Sequence, residues 1–185
     1  EGAQHASHRW FIDPIDGTRS FMRGVPLYAI TNGLEIEGNA EVGVAYYPAL
    51  NELLAAGTGL GRWWNGRPAH VSQTASLDRA VVAFTDVINV ERFNRQKAWE
   101  RVMAASHYRA GWGDAFGYLL VATGRADIML EAIDNVWDIA AYPPIFREAG
   151  GYFGDWSGVS TIHHSEGLAT NPLLLPQLLD LLKEE

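Results

Sequence analysis

The chain has 185 residues, enough for one compact domain or two small ones sharing a core, and at 48% hydrophobic content it is no disordered polymer. It holds no cysteine, which excludes disulfides and thiolate metal sites, and no apolar run of membrane-spanning length. Its formal charge of −8 disfavours a nucleic-acid partner, and it would equally repel an anionic substrate unless bound divalent cations inverted the local field.

In chain order, Arg9 to Ile12 reads as a short apolar strand ending at Asp13, and Gly17-Thr18 opens a turn or short helix through Phe21. From Leu27 to Ala56 the pattern has period two, with strands over 28–36, 41–47 and 52–56. Turns at Glu37-Gly-Asn39 and Gly57 to Gly61 separate them, and Trp63-Trp64-Asn-Gly66 leads into one more short strand of an antiparallel meander. The second half alternates differently. A β-branched run over 80–85 is followed by an amphipathic helix from Glu91 to Ser106, with Trp99, Val102 and Met103 on one face. An extended stretch at 108–112 precedes a helix from Asp114 to Thr123, stopped by Gly124. A strand over 126–131, a helix over 138–149 ended by Gly150-Gly151, short strands at 152–156 and Leu168-Ala169, and a helix over 173–182 finish the chain. The expected class is α/β, an antiparallel meander followed by a mixed α/β half, divided near Gln73 to Asp78 into 1–76 and 77–185. No signal-peptide pattern precedes the first motif, so a cytoplasmic enzyme is the expectation.

The chemistry concentrates in Trp10-Phe-Ile-Asp-Pro-Ile-Asp-Gly-Thr18. Asp13 and Asp16 stand where a strand gives way to a loop, and Pro14 holds the turn away from helix, so both carboxylates can converge on one point. Two hard oxygen donors so placed suit Mg²⁺. Gly17 permits close backbone approach to a ligand, the N–H groups after it suit an anion, and the Thr18 hydroxyl can orient a water. Asp-Pro and Asp-Gly are also common turn chemistry, and a plain Asx-turn stands beside the metal reading. In a second segment, Asp138 stands where a helix N-cap belongs, as a cap or as a third carboxylate for metal. Pro143 and Pro144 lie too deep for the first turn of that helix and predict a kink or a delayed regular start.

Together the two segments resemble the signature pair of the inositol monophosphatase family. Its Asp-Pro-Ile-Asp-Gly-Thr box and its Trp-Asp-x-Ala-Ala…Glu-Ala-Gly-Gly box are both present, about 120 residues apart. Gly167-Leu-Ala-Thr-Asn171 resembles the family's closing strand, so the resemblance covers essentially the whole chain. It implies a sandwich of alternating helix and sheet layers and a Mg²⁺-dependent phosphatase working through two or three ions. On that resemblance Asp13, the Ile15 carbonyl and Asp16 ligate metal, and Asp16 and Asp138 share a second ion. Asp16, Gly17 and Thr18 line the phosphate, and Thr18, with Asp13, belongs to the catalytic set by holding the nucleophilic water. The family also uses a glutamate from a Gly-Glu-Glu segment upstream of the first box, and none stands between Glu1 and Asp13. The chain therefore reads as a shortened copy without the family's first helices, and a catalytically silent metal-binding remnant is the alternative of a different class.

Thr18-Arg-Ser-Phe-Met-Arg-Gly-Val-Pro26 and Gly113-Asp-Ala-Phe-Gly-Tyr118 resemble the histidinol-phosphatase branch of that family. Glu131 matches the family's substrate-facing glutamate. With Asp114 it would suit a cationic amino-imidazole alcohol, and it could equally accept from an inositol hydroxyl. Histidinol phosphate is the favoured substrate, inositol 1-phosphate the alternative, and an N-cap the plain reading of Asp114. The expected partner is a small phosphorylated metabolite, with no nucleic acid and no membrane. A homodimer, with Trp63 or Trp64 contributing, follows from the resemblance alone. His163-His164 lacks the helical spacing of a zinc motif and reads as an exposed loop pair; His5, His8 and Glu184-Glu185 read as solvated.

Overall fold

The structure, a computed structural model, describes residues 6–183; Glu1, His5 and Glu184-Glu185 lie outside the described residues. Strands β1 (His8–Asp16), β2 (Ala29–Ile36), β3 (Asn39–Tyr47), β4 (Glu52–Gly57) and β5 (Gly61–Trp64) pair with their chain neighbours in an antiparallel meander. Glu37 and Gly38, at φ 49° and 86°, form the primed turn that fits the twist of a hairpin. The strand expected after Gly66 is not formed. β5 carries the tryptophan pair itself, and Asn65-Gly66 turns back to a single bridge between Trp64 and Arg67. Trp10, Ile12, Ile30, Tyr46, Leu53 and Trp63 are exposed on the outer face of this sheet. Trp64 is half-buried: its Nε1–H donates to Glu52 Oε2 at 2.6 Å and the Arg125 guanidinium lies 4.8 Å over its ring, so Trp63 alone of the pair is exposed.

The inner face of the meander carries α5 (Val136–Ile139) and α6 (Tyr142–Glu148), a pair of helices where one was expected over 138–149. Pro143 and Pro144 cannot donate backbone hydrogen bonds, so the ladder restarts at Tyr142, which is the delayed start anticipated from the sequence. Gly33 and Gly43 face each other across β2 and β3. A Cβ on Gly33 would lie 2.5 Å from the Ala140 carbonyl carbon, and one on Gly43 would lie 1.8 Å from the Ala141 oxygen. The junction between α5 and α6 therefore seats directly on the sheet backbone, in a slot that any side chain would fill.

The second sheet has the order β7-β6-β8-β10-β9, from β6 (Val81–Phe84), β7 (Tyr108–Ala110), β8 (Ile128–Glu131), β9 (Tyr152–Gly154) and β10 (Gly167–Thr170). β6 runs parallel to β7 and β8, and β10 antiparallel to β8 and β9. Its central strands are buried on both faces, which explains their unbroken apolar runs. Ala83, Met129 and Ala169 face a core shared with α4 (Asp114–Ala122), α6 and the first sheet. Val82, Ile128, Leu130 and Leu168 face a second core under α3 (Gln96–Ala105) and α7 (Leu175–Leu182). The result is the expected layering of sheet, helices, sheet and helices.

The helix expected over 91–106 is two helices, α2 (Val87–Arg92) and α3. Asn94 takes φ 58°, its N–H donates to Glu91 O and the Arg95 N–H to Val90 O, a Schellman stop that the apolar periodicity did not reveal. Trp99 and Val102 are buried as expected, with Met103 packed beside them. His8, His163 and His164 are exposed, though His164 Nδ1 lies 2.7 Å from Asp155 Oδ2 and His163 Nε2 3.2 Å from Glu35 Oε2.

Candidate active site

The site begins at an irregularity in β1, which runs to Asp16 and not, as expected, only to Asp13. Asp13 pairs with Thr31 and Asp16 with Ala29, so three steps on β1 face two on β2. The extra residue falls at Pro14-Ile15, on an edge strand where a missing N–H is tolerated. Residues three apart on a regular strand point to opposite faces; the bulge cancels that half-turn and brings Asp13 and Asp16 to one side. Asp13 Oδ1 accepts the Ile15 N–H at 2.8 Å, so the Asx-turn is formed and the same bond aims the carboxylate. Gly17, at φ 79°, swings the chain into α1 (Thr18–Met22), and a Cβ there would lie 2.7 Å from the Leu27 carbonyl oxygen. The Thr18 hydroxyl donates to the Ile15 carbonyl oxygen at 2.9 Å.

Asp138 arrives from α5. The N-cap of that helix is Asn135, three residues before Asp138, so Asp138 is the third helical residue and not the cap. Its Oδ2 accepts the Asn135 backbone N–H at 2.7 Å and the Asn135 side-chain amide at 3.0 Å. Thr31, the cross-strand partner of Asp13, donates its hydroxyl to the Trp137 carbonyl at 3.1 Å and fastens α5 to the first sheet beside the bulge. One carboxylate oxygen from each of Asp13, Asp16 and Asp138 lies within 4.8 Å of the others.

Burial, followed by the charges of Asp114 and Asp138, pushes the Asp16 carboxyl well above its ordinary range, against an Ala115 N–H donated at 3.2 Å. The Asp138 carboxyl is pushed up to about 6, first by burial, with the Asn135 N–H pulling it back. Among the described residues no ion pair neutralises any of the three. Converging oxygens with uncompensated charge fit a hard divalent cation. The Ile15 carbonyl, with one hydrogen bond from Thr18, keeps a second lone pair for such an ion.

These residues line a cavity of about 360 Å³, and its opposite wall comes from the second half of the chain. Glu131 closes β8, buried, and accepts a hydrogen bond from the Thr85 hydroxyl; burial and then Asp134 raise its carboxyl well above the usual range. Asp114 does not cap α4. Gly113 does, and Asp114 is the first helical residue, at φ 38°, with its N–H donated to Thr85 Oγ1 at 2.6 Å. Ala115, next in the chain, is gripped through both peptide groups, its N–H on Asp16 and its carbonyl accepting the buried Tyr47 hydroxyl at 2.8 Å. That grip ties the second half of the chain to the first sheet.

Sequence reasoning missed Thr85, Asp86, Asn89 and Asp134 on this wall. Thr85-Asp86 ends the apolar run of β6 much as Asp13 ends that of the first box, a signal that was available. Asp86 caps α2, its Oδ1 accepting the Asn89 N–H at 2.7 Å. Asp134 sits in an irregular loop, buried, accepting the Tyr118 hydroxyl at 3.0 Å, and no spacing marks it.

The profile of the inositol monophosphatase family matches residues 1–185. The chain belongs to the inositol monophosphatase family. Among its curated relatives, the histidinol-phosphatase of Chlorobaculum parvum is 42% identical over 162 residues, covering 88% of this chain and 62% of the relative. The inositol-1-monophosphatase of Mesorhizobium japonicum is 32% identical, covering 98% of this chain and 70% of the relative. Among solved structures, the inositol monophosphatase from Anabaena (Nostoc) sp. matches with a TM-score of 0.89 at 30% identity, over 98% of this chain and 73% of that one. This chain thus spans about six tenths of the length of the Chlorobaculum relative. In this member of the inositol monophosphatase family the first box is the β1 bulge with α1, and the second box is α5, the slot-bound junction and α6. Among the described residues no helix is long and apolar enough to cross a membrane.

Proposed function

We propose that this chain acts as a Mg²⁺-dependent phosphatase of small phosphate monoesters, with histidinol phosphate as its preferred substrate. The observation that carries the reading is the convergence of Asp13, Asp16 and Asp138 within 4.8 Å, beside Gly17 and Thr18. Asp13, the Ile15 carbonyl and Asp16 would hold one ion, and Asp16 and Asp138 would hold a second. Bound there, such cations supply neutralising charge for the phosphoryl oxygens and a lowered pKa for an attacking water. The remaining work falls to the chain's own groups. The backbone N–H groups at the Gly17 turn orient the phosphate. The Thr18 hydroxyl, which spends its proton on Ile15, presents lone pairs that accept from the attacking water and fix its direction, with Asp13 alongside. Asp114 and Glu131 face the organic half of the substrate; burial raises both carboxyls, and a cationic amino alcohol beside them would draw them back toward the ionised form.

With Mg²⁺, phosphate release from histidinol phosphate should exceed release from inositol 1-phosphate, and the reverse order would replace the substrate. Inositol 1-phosphate is the second reading, favoured by the Mesorhizobium relative. Calorimetric Mg²⁺ binding with no phosphate released from either ester would support the silent remnant instead. Asp138→Asn should abolish turnover while the variant still melts cooperatively; normal turnover would remove Asp138 from the site.

A further inference from the structure

Helix α4 begins at the seam between the two halves of the chain, and no side chain caps it, since its N-cap is Gly113. The N–H groups of a first helical turn have no partner within their own helix. Here they are held from two directions. The Gly113 N–H donates to the Phe84 carbonyl at 2.8 Å and the Asp114 N–H to the Thr85 hydroxyl at 2.6 Å, both at the end of β6. The Ala115 N–H donates to Asp16 Oδ1 at 3.2 Å, and the Ala115 carbonyl accepts the Tyr47 hydroxyl at 2.8 Å, both on the first sheet. Among the described residues Tyr47 is the one side chain of the first sheet, besides Asp16 itself, that hydrogen-bonds to this turn.

Tyr47 ends β3 with no exposed surface, and Asp16 is buried at the end of β1. A phenylalanine would fill the same space in the core; the hydroxyl adds a directed bond. Burial raises the Tyr47 phenol above its ordinary range, so it stays protonated and able to donate. Its oxygen also lies 3.4 Å from the Tyr142 hydroxyl of α6, which sets its place from a second side. Without the Tyr47 bond the start of α4 would be tied to β6 alone, and the Asp16 carboxylate would have to follow it or lose its N–H. A carboxylate offers about four lone-pair sites, and the N–H that occupies one of them sets the direction of the rest.

We infer that Tyr47 is a positioning residue for the metal centre: through the Ala115 peptide it fixes the Asp16 carboxylate in the orientation that faces Asp13 and Asp138. The inference rests on the phosphatase reading, in which those three carboxylates hold the cations. Tyr47 does not line the cavity, so its loss acts on the centre and not on the choice of alcohol.

The test uses Tyr47→Phe and Tyr142→Phe. Each deletes one fully buried hydroxyl of the same network, and only the first deletes the bond to Ala115. Both should lower the melting temperature by about 2–4 °C, the scale of one lost hydrogen bond in a chain of this size. Calorimetric titration with Mg²⁺ should give a Kd about tenfold weaker in Tyr47→Phe, as for other groups that orient a ligand, and an unchanged Kd in Tyr142→Phe. Trimethylamine N-oxide, which favours the folded state, should restore the melting temperature of Tyr47→Phe without restoring its affinity, which separates a displaced carboxylate from a weakened fold. At saturating Mg²⁺, kcat in Tyr47→Phe should fall by the same factor for histidinol phosphate and inositol 1-phosphate, with KM kept. Equal Mg²⁺ affinity in wild type and Tyr47→Phe would overturn the inference. So would an equal loss in Tyr142→Phe, affinity regained with the osmolyte, or a kcat loss confined to one ester. A wild type that binds Mg²⁺ yet releases no phosphate would strike the phosphatase reading alone, and the titration would still decide on Tyr47. A wild type without Mg²⁺ affinity would overturn both.

Discussion

The Asp13–Asp16–Asp138 wall of the cavity and the Thr85–Asp114–Glu131 wall are built from different kinds of backbone. The first uses a strand bulge and a helix start, with Asp13 and Asp138 each aimed by a hydrogen bond a few residues away in sequence. The second gathers strand ends and a helix start that are 29 and 46 residues apart along the chain and includes a positive φ at Asp114. On the proposed function, local bonding fixes the groups that would handle the charge common to every phosphate ester, and long-range assembly, which tolerates strain, fixes those that would meet the part of the substrate that varies.

If that division holds, Asp16→Asn should lower turnover by more than about 100-fold for every ester, beyond the 10–100-fold typical of a residue that merely orients a ligand. Phosphate release at saturating histidinol phosphate and inositol 1-phosphate measures it. A loss confined to one ester would break the comparison. Next in size, Gly43→Ala should destabilise the protein by about 3 kcal/mol, because the new methyl meets the Ala141 oxygen and the junction must lift. Urea unfolding gives that figure, and a parallel Mg²⁺ titration should show weakened affinity as Asp138 moves with α5.

Proton linkage supplies a third, directional prediction. Burial raises the carboxyls of Asp16, Glu131, Asp134 and Asp138, so the folded protein holds these protons more tightly than the unfolded chain does. Without divalent cations, stability should therefore fall as pH rises out of the ordinary carboxylate range and through about 6, the value for Asp138. Melting temperatures in EDTA across that window should slope downward, and Mg²⁺ should flatten the slope. A metal-free protein that gains stability over the same window would contradict the raised carboxyls. The smallest effect belongs to Arg19→Ala, whose bridge to Asp86 lies at an exposed guanidinium: stability should change by under about 1 kcal/mol while KM for histidinol phosphate shifts.

The same contrast explains what could be read from the sequence. The meander was legible because one face of each strand packs on helices, which writes a period of two, and because Glu37-Gly38 names its turn. The paired boxes were legible because their carboxylates are contiguous with the turns that aim them. The second half was harder. Its doubly buried strands lack alternation, and the break between α2 and α3 depends on one residue, Asn94 in a left-handed conformation, whereas the Pro143-Pro144 pair did announce the delayed start of α6. Asp138 and Asp114 both looked like caps, since a carboxylate near a helix start is the commonest case; the caps fell to Asn135 and Gly113 because α5 begins two residues before Asp138 and α4 begins at Asp114 itself. Asp134 escaped notice on the cavity wall, as burial in a loop leaves no mark in the sequence.

Gly33 and Gly43 touch none of the cavity's walls, yet they set how deeply the α5–α6 junction sinks and so how far Asp138 stands from Asp13. A mutant library that varies only the cavity lining would leave that spacing untouched. A wider or narrower mouth has its dial in the floor beneath it, where a single methyl group in the sheet would move a carboxylate it never meets.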